Sequence, residues 1–311
     1  MSIGWLIRLA AATSKRHRAS GTVMTADSAG RPVVPPRTAL RLESLAVREQ
    51  PSAGSGGRRV LDLSDVSWLD PVHLVGIAAG AHLAAKQGSR LRLVGLDDDQ
   101  AAYAARMRLG QVIEQFGGEH QLPSVRERDL RTSLLEIRPL RNRADVRELT
   151  ELVYHRVAVH DTAVAHALHL ALAEVGSNVC DHAQSIGFMA AQTIAEHGVL
   201  RFAVADSGVG LLGTLAGRGA SDDRTALRMA LTGTSRSTEP GHGTGLPATV
   251  AIVSSLGGQV LLASGTAAST ATSRDRQHRE LAAGYHGTIF EGSVPARPAR
   301  RATDHGREVE Q

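Results

Sequence analysis

The sequence predicts an α/β protein with two folded domains, and three observations favour this fold class. The chain has 311 residues, a length typical of about two domains, and 42% of them are apolar, enough for two cores. Short apolar runs alternate with helical patterns between residues 38 and 116, as in α/β domains. A second set of strand and helix patterns, at residues 131–294, is interrupted by three polar or glycine-rich clusters.

Composition limits the classes of function. Only 3% of the residues are aromatic, so both cores must consist mainly of Leu, Val, Ile and Ala. The single cysteine, Cys180, excludes an internal disulfide framework and fits a reducing cytoplasm, where we expect the protein to reside. No apolar run approaches the roughly 20 residues of a membrane helix, so no membrane association is expected.

The net charge of +4 does not by itself indicate a nucleic-acid site. Basic residues cluster near the two ends of the chain, at 15–18 and 297–301. The aromatic or groove-reading elements that accompany nucleic-acid sites are missing, so we interpret these clusters as solvated tails. Residues 1–36 and 295–311 are predicted to be disordered.

The first domain, residues 37–116, is predicted from alternating strand and helix patterns. Pro71–Lys86 indicates a helix, because proline is favoured in a first turn and apolar residues recur on one face. That face comprises Val72, Val75, Ala79 and Leu83. The other predicted elements are strands at 39–47, 59–63 and Arg90–Val94 and a helix at 98–109. Strands that alternate with helices imply at least partly parallel pairing.

A polar linker, residues 117–130, leads to the second domain at 131–294, and we expect this domain to fold without the first. The predicted elements of the second domain are strands at 133–137, 187–193, 199–205, 259–263 and 288–293, and helices at 145–155, around Glu174, at 222–231 and at 246–256. Residues 266–286 are polar, charged and poor in periodicity, so we predict a loop there.

The first polar cluster lies on the helix around Glu174. At roughly 100° per residue, Glu174, Asn178 and His182 fall on one stripe of a helix. An adjoining apolar stripe consists of Val164, Leu168, Leu172, Val175 and Val179. Such a helix can bury one stripe and offer the other to a ligand.

The second and third clusters end a strand and open a helix. Asp206 ends the apolar run at 199–205, and Gly208 and Gly210 allow the backbone to approach another group closely. The glycine-rich loop at 241–245 precedes the predicted helix at 246–256, whose free amides and dipole suit an anion such as phosphate. A carboxylate with an amide one turn on, an acidic strand end and an amide-rich loop are the parts of a nucleotide site.

These clusters resemble the sequence boxes of the Bergerat-fold ATPases, which include histidine kinases, type II topoisomerases, chaperone ATPases and bacterial anti-sigma serine kinases. Glu174 and Asn178 match the Glu-x-x-x-Asn N box, and Asp206 matches the acid of the Asp-x-Gly-x-Gly G1 box. The remaining matches are Gly208 and Gly210 in the G1 box, Gly241, Gly243 and Gly245 in the Gly-x-Gly-x-Gly G2 box, and Gly287 and Thr288 in a late Gly-Thr pair. The resemblance implies an α/β sandwich with helices on one face of a mixed sheet.

The resemblance also implies ATP and Mg²⁺ as cofactors and a role for each residue. Asn178 would hold Mg²⁺, Glu174 would activate the attacking hydroxyl or water, and Asp206 would accept a hydrogen bond from the adenine amino group. The G2 loop would close over the phosphates, with Leu246 at the start of the following helix and Thr288 on a late strand completing the nucleotide site.

Residues 37–116 resemble the STAS fold of anti-sigma-factor antagonists, notably in the stretch VLDLSDVSWLDPVHL at 60–74. Those antagonists usually carry a phospho-accepting serine directly after the aspartate that Asp70 matches here. This chain has Pro71 and Val72 instead, and neither carries a hydroxyl. We therefore expect a docking or regulatory surface rather than a phosphorylation site, with an unrelated small α/β domain as the alternative.

Two other interpretations use the same residues. Residues 208–213 spell the dinucleotide fingerprint after a predicted strand, but no second strand ending in an acid follows. His166, His169, Cys180 and His182 suggest a metal site, yet they do not form a closed ligand set.

Two classes of function remain. The stretch at 174–183 is similar to the Glu-x-x-x-Asn-x-x-x-His-Ala pattern of anti-sigma kinases, which favours an ATP-dependent serine or threonine kinase in a partner-switching pathway. Its partners would be a STAS-domain antagonist, a sigma factor, or both, and the sequence is compatible with a homodimer. The alternative is a nucleotide-controlled binding module or slow ATPase whose lid, residues 216–244, orders on ATP without phosphotransfer. A sensor histidine kinase comes third, since neither His155 nor His160 lies in a recognisable acceptor motif.

Overall fold

The computed structural model describes residues 45, 48–50, 57–124, 134–194, 198–234 and 245–295. The predicted disorder at 1–36, that at 295–311 except for Pro295, which ends a strand, and nearly all of the predicted strand at 39–47 lie outside these residues. Within the described ranges, no helix combines the length and the hydrophobicity that crossing a bilayer requires.

Within the described residues, the N-terminal unit is a three-stranded sheet with helices. Its elements in chain order are β1 (Arg48–Gln50), β2 (Arg58–Asp62), α1 (Pro71–Lys86), β3 (Arg90–Val94), α2 (Asp98–Arg106) and α3 (Leu109–Gln115). β2 pairs parallel with β3 and antiparallel with β1. The partly parallel pairing, the α1 helix and the β3 strand are therefore confirmed as predicted.

The single helix predicted at 98–109 is wrong, because the chain leaves the helical path after Arg106. Arg108 adopts the left-handed conformation, with φ of 64°. Its guanidinium lies 2.9 Å from the Glu136 carboxylate, and the Ile137 amide donates to the Met107 carbonyl at 3.2 Å. The break thus buries Met107 completely and places its carbonyl beside the next sheet.

The second sheet contains five strands in the order β4-β5-β6-β8-β7. These strands are β4 (Leu134–Leu140), β5 (Gly187–Ile194), β6 (Val199–Asp206), β7 (Gln259–Ala271) and β8 (Arg276–Pro295). The accompanying helices are α4 (Arg143–Ala158), α5 (Thr162–Asn178), α6 (Gly210–Leu215), α7 (Asp223–Leu231) and α8 (Gly245–Ser255). The prediction of a mixed sheet is wrong, because every pairing among these described strands is antiparallel.

Helices cover both faces of this sheet, whereas the sequence suggested one. On β6, Phe202 and Val204 pack in the core beneath α4, α5 and α8, and Ala203 and Ala205 pack in a second core that includes α1. Burial on both faces explains why β6 is an almost uninterrupted apolar run rather than an alternating one.

The helix α1 is buried nearly all around because it lies between the two sheets. Val72, Val75 and Ala79 of its predicted apolar face are buried and Leu83 is half-buried, but His73, Gly76, Ala78 and Ala81 on other sides of the helix are buried as well. A polar seam accompanies this packing: Arg201 on β6 donates to Asp70 at 2.8 Å, and the Tyr103 hydroxyl donates to Gln192 on β5 at 2.6 Å. The two units therefore share one continuous core, which the sequence analysis did not anticipate.

The loop predicted at 266–286 is also wrong, because β7 and β8 continue as a paired hairpin through this region. Residues 267–271 of β7 pair with 276–280 of β8, beyond bulges at Gly265. Both sides of the hairpin bury small residues: Ala267 and Ala271 belong to the core beneath α4, α5 and α8, and Ala268 belongs to the core that includes α1. Alanine carries little hydrophobic signal, so the period-2 pattern of this strand was weak in the sequence.

Candidate functional site

The three sequence clusters meet at one cleft on the α5 and α8 side of the second sheet. The cleft has about 860 Å³ of empty space, a figure that includes space open to solvent. The predicted site residues that line it are Glu174, Asn178, Asp206, Gly210, Gly245, Leu246 and Thr288. Gly208 lies in the turn beside the cleft, whereas Gly241 and Gly243 lie outside the described residues.

The helix α5 presents Glu174 and Asn178 to the cleft, one turn apart. It begins at its N-cap Asp161, whose carboxylate accepts from the Val164 amide at 3.0 Å. Buried Leu168 and Leu172 hold the other side of α5 in the core, and buried Val175 lines the cleft beside Glu174. The Asn178 amide donates to Glu174 Oε1 at 3.3 Å, so the two polar side chains form a pair on a half-buried surface.

The residues after Asn178 depart from the predicted helical stripe. Val179–Ala183 form a π-helical turn, so His182 does not continue the α-helical face of Glu174 and Asn178. His182 nevertheless lines the cleft, and its buried Nδ1 has no hydrogen-bond partner among the described residues. Single π turns inside helices are frequent at functional sites.

Asp206 ends β6 with its carboxylate almost fully buried, at 3% exposure. Its Oδ1 accepts from the Gly208 amide at 2.8 Å. Burial raises the pKa of Asp206 to about 6, although the backbone amides of Gly208 and Thr288 oppose the shift. The cleft therefore contains a carboxylate that is largely ionised at pH 7.5 and able to accept a hydrogen bond from a ligand.

The turn after Asp206 packs tightly on the end of the α5 segment. A Cβ at Gly208 would lie 1.9 Å from the Ala183 carbonyl oxygen, so only glycine fits. The Val209 amide donates to the same carbonyl at 3.1 Å. The segments that carry the first and second polar clusters are thus in direct backbone contact.

The helix α6 is attached to the sheet beneath the cleft by Ser264. Its hydroxyl donates to the Gly287 carbonyl at 2.7 Å and accepts from the Leu211 amide at 2.9 Å. This serine therefore links β7, β8 and the first turn of α6, and it brings the Gly287-Thr288 pair beside Asp206.

The first turn of α8 lies directly against Glu174. A Cβ at Gly245 would lie 1.6 Å from Glu174 Oε1, so a larger residue there would displace the Glu174 side chain. The N-terminus of α8 carries the positive end of the helix dipole and free amides, which stabilise negative charge such as that of the Glu174 carboxylate. The same turn suits a phosphate. The loop that precedes Gly245, residues 235–244, is outside the described residues.

The floor of the cleft is apolar, and sequence reasoning missed it. The additional lining residues are Val175, Val179, Ala183, Val204, Leu211, Thr214, Leu215, Ala230, Thr234, Leu262 and Phe290. Sheet residues such as Val204 and Phe290 were indistinguishable from ordinary core in the sequence. Val204 lies two residues before Asp206 on the same face of β6, and this spacing is the signal that could have identified it, whereas Phe290 joins it only through the pairing of β6 with β8.

The two alternative interpretations can be compared with this geometry. Within the described ranges, no group of three His, Cys, Asp or Glu side chains is placed to hold a metal ion. The dinucleotide fingerprint needs a parallel βαβ unit, but both neighbours of β6 run antiparallel to it.

Comparisons with models of protein families, with curated proteins and with solved structures found no match for this chain.

Proposed function

We propose that this protein binds ATP with Mg²⁺ and transfers the terminal phosphoryl group to a serine or threonine of a protein partner. The observation that carries the proposal is the convergence of Glu174, Asn178, Asp206, Gly245 and Thr288, which are distant in sequence, on one cleft. The Bergerat-fold resemblance assigns complementary roles to these residues, and an anti-sigma-type kinase is the member that it favours.

The polar and apolar parts of the cleft fit the two ends of ATP. The apolar floor with Val204, Leu262 and Phe290 suits a flat aromatic base, and Asp206 is the buried acceptor for its amino group. The amides in the first turn of α8 are donors suited to the phosphates. The base and the phosphates would therefore lie at separate walls of one cleft.

The donor atoms beside α8 fit a magnesium ion. Mg²⁺ prefers oxygen ligands and is usually held by one or two protein groups together with substrate phosphates. The Asn178 amide nitrogen is engaged by Glu174, which leaves its Oδ1 as the oxygen donor to the metal. When bound, Mg²⁺ would neutralise charge that develops on the phosphates.

Glu174 is the residue that we assign to chemistry. Its carboxylate lies in the cleft beside Asn178 and the first turn of α8, where the terminal phosphate would sit. A carboxylate there can accept the proton of an attacking hydroxyl, as a general base does. The partner that supplies the hydroxyl would be a STAS-domain antagonist, and a sigma factor would be the regulated protein.

The test is incubation of the purified full chain with γ-labelled ATP and Mg²⁺, alone and with candidate STAS-domain and sigma-factor partners. We expect label on the STAS partner. Release of free phosphate alone would identify an ATPase, and ATP binding without turnover would identify a nucleotide-controlled binding module. Absence of ATP binding by calorimetry would contradict the proposal altogether.

A further inference from the structure

A histidine of the N-terminal unit reaches the back of the candidate site. His82 Nδ1 on α1 lies 2.8 Å from the Ser207 hydroxyl oxygen. The Ser185 hydroxyl completes a triangle, at 3.1 Å from Ser207 Oγ and 3.4 Å from His82 Nδ1. Ser207 itself is buried, so this contact is made away from solvent.

This triangle sits where two parts of the site join. Ser207 directly follows Asp206, and Ser185 follows the π turn that ends the Glu174 helix segment. On the cleft side of the same junction, Gly208 packs on the Ala183 carbonyl. His82 therefore contacts the serines of both segments at once, and it is the group through which α1 reaches them.

Aromatic packing holds the His82 ring in this position. The ring meets Phe116 edge-on at 5.1 Å between centroids, and Phe116 meets Phe188 of β5 in the same way at 6.0 Å. Burial, and secondarily the Lys86 charge, lowers the pKa of His82. The imidazole is therefore mainly neutral at pH 7. Its tautomer decides whether His82 Nδ1 or the Ser207 hydroxyl donates the hydrogen bond between them.

We propose that His82 is a positioning residue, which holds the turn at Asp206–Gly208 in its ligand-accepting geometry through Ser207. The N-terminal unit would thereby set nucleotide affinity from the back of the sheet without touching nucleotide. The affinity part of this inference rests on the proposed function, whereas the ordering of the turn does not. Because His82 does not touch the reacting atoms, its loss should weaken ATP binding and leave the rate at saturating ATP nearly unchanged.

The test uses three variants and a matched control. His82→Ala removes the contact, His82→Asn retains a polar atom at the Nδ1 position, and Ser207→Ala removes the contact from the other side. Tyr103→Phe is the control, because it also deletes a hydrogen bond across the seam, to Gln192 near the far end of β5. Gln192 lies seven positions after Ser185 and five positions along β5 from Gly187, which corresponds to about 17 Å of strand.

Two readouts are measured: ATP affinity by calorimetry, and hydrogen exchange of the amides at 207–210 in the protein without nucleotide. We expect His82→Ala to weaken ATP binding by about three- to tenfold and to speed exchange at 207–210. His82→Asn should recover most of both effects. Tyr103→Phe should lower the melting temperature with neither local effect, and adding His82→Ala to Ser207→Ala should change little further.

Equal effects of His82→Ala and Tyr103→Phe would overturn the inference, because the seam would then act through stability alone. Unchanged exchange at 207–210 in both His82→Ala and Ser207→Ala would overturn it as well. If the wild type binds no ATP, the proposed function fails, and the exchange measurement alone still decides whether His82 orders the turn. If His82→Ala does not fold, the comparison of Ser207→Ala with Tyr103→Phe decides the question.

Discussion

Two buried carboxylates on opposite faces of the second sheet have different electrostatic surroundings. Asp70, in the seam, is fully buried and accepts a charged hydrogen bond from Arg201 at 2.8 Å, with His73 also in contact. Asp206, in the cleft, receives backbone amides, and no cationic side chain of the described residues pairs with it. The seam therefore compensates its buried charge within the fold, whereas the cleft retains a negative charge that a ligand can compensate.

The largest effect that we expect on the cleft side is the loss of turnover in Glu174→Gln. Removal of a general base typically lowers a rate by about 10² to 10⁴, while ground-state contacts persist. The variant should bind Mg·ATP nearly as the wild type does and fail at phosphotransfer. Single-turnover kinetics with γ-labelled ATP measures this, and Glu151→Gln, an exposed acid on α4, serves as control. Full activity in Glu174→Gln would remove the catalytic role.

On the seam side, Arg201→Met should cause the largest loss of stability. The guanidinium lies 2.8 Å from Asp70 and 3.9 Å from Glu291, both buried. Removing one partner of a buried ion pair costs about 3–5 kcal/mol, because the remaining charges stay desolvated. Urea unfolding measures the change, and Arg143→Met, which breaks an exposed pair with Asp181, should cost at most about 1 kcal/mol. Similar losses in both variants would contradict the distinction between the two sites.

More of the candidate site than of the seam could be predicted from the sequence. Glu174, Asn178 and Asp206 belong to short patterns with local spacing, and the structure places them at one cleft. The Asp70–Arg201 contact joins residues 131 positions apart, and no local periodicity reports such a pair. For the same reason, the sequence could give α1 its bounds, Pro71–Lys86, but not the second sheet that covers its other side.

The shared core also changes what we expect of a fragment that lacks the N-terminal unit. The sequence suggested that residues 131–294 fold and bind nucleotide alone, and this stays a prediction. In the full chain, however, Phe188, Ala203 and Ile289 of the second sheet are buried in the core that contains α1. Without α1 this apolar face would be exposed to water, so the fragment should be less stable than the full chain.

A smaller effect is expected for Asp206→Asn, which tests the acceptor in the cleft. The amide offers a different donor and acceptor pattern to adenine, and a mismatched buried polar group costs about 1–3 kcal/mol, or roughly ten- to hundredfold in ATP affinity. Calorimetry with Mg·ATP measures the loss. Asp99→Asn, an exposed acid on α2, should bind as the wild type does. Equal affinity of Asp206→Asn and wild type would make the G1-box assignment wrong.

The smallest effect is a pH dependence of stability that belongs to Asp206 alone. Its pKa is about 6 in the folded protein, against an ordinary value of 3.8, so the folded state binds the proton more tightly than the unfolded state does. This stabilising contribution is complete below the ordinary value and is lost as pH rises through 6. Between pH 5 and pH 8 the wild type should therefore lose about 1 kcal/mol of unfolding free energy relative to Asp206→Asn. Urea unfolding gives the free energy of unfolding of both proteins at each pH, and in the difference between them the titrations that the two proteins share cancel. If that difference stayed constant with pH, burial would not perturb the Asp206 carboxyl. The same proton should oppose ligand binding, because the carboxylate is the acceptor, so ATP affinity should fall below pH 6 while stability rises.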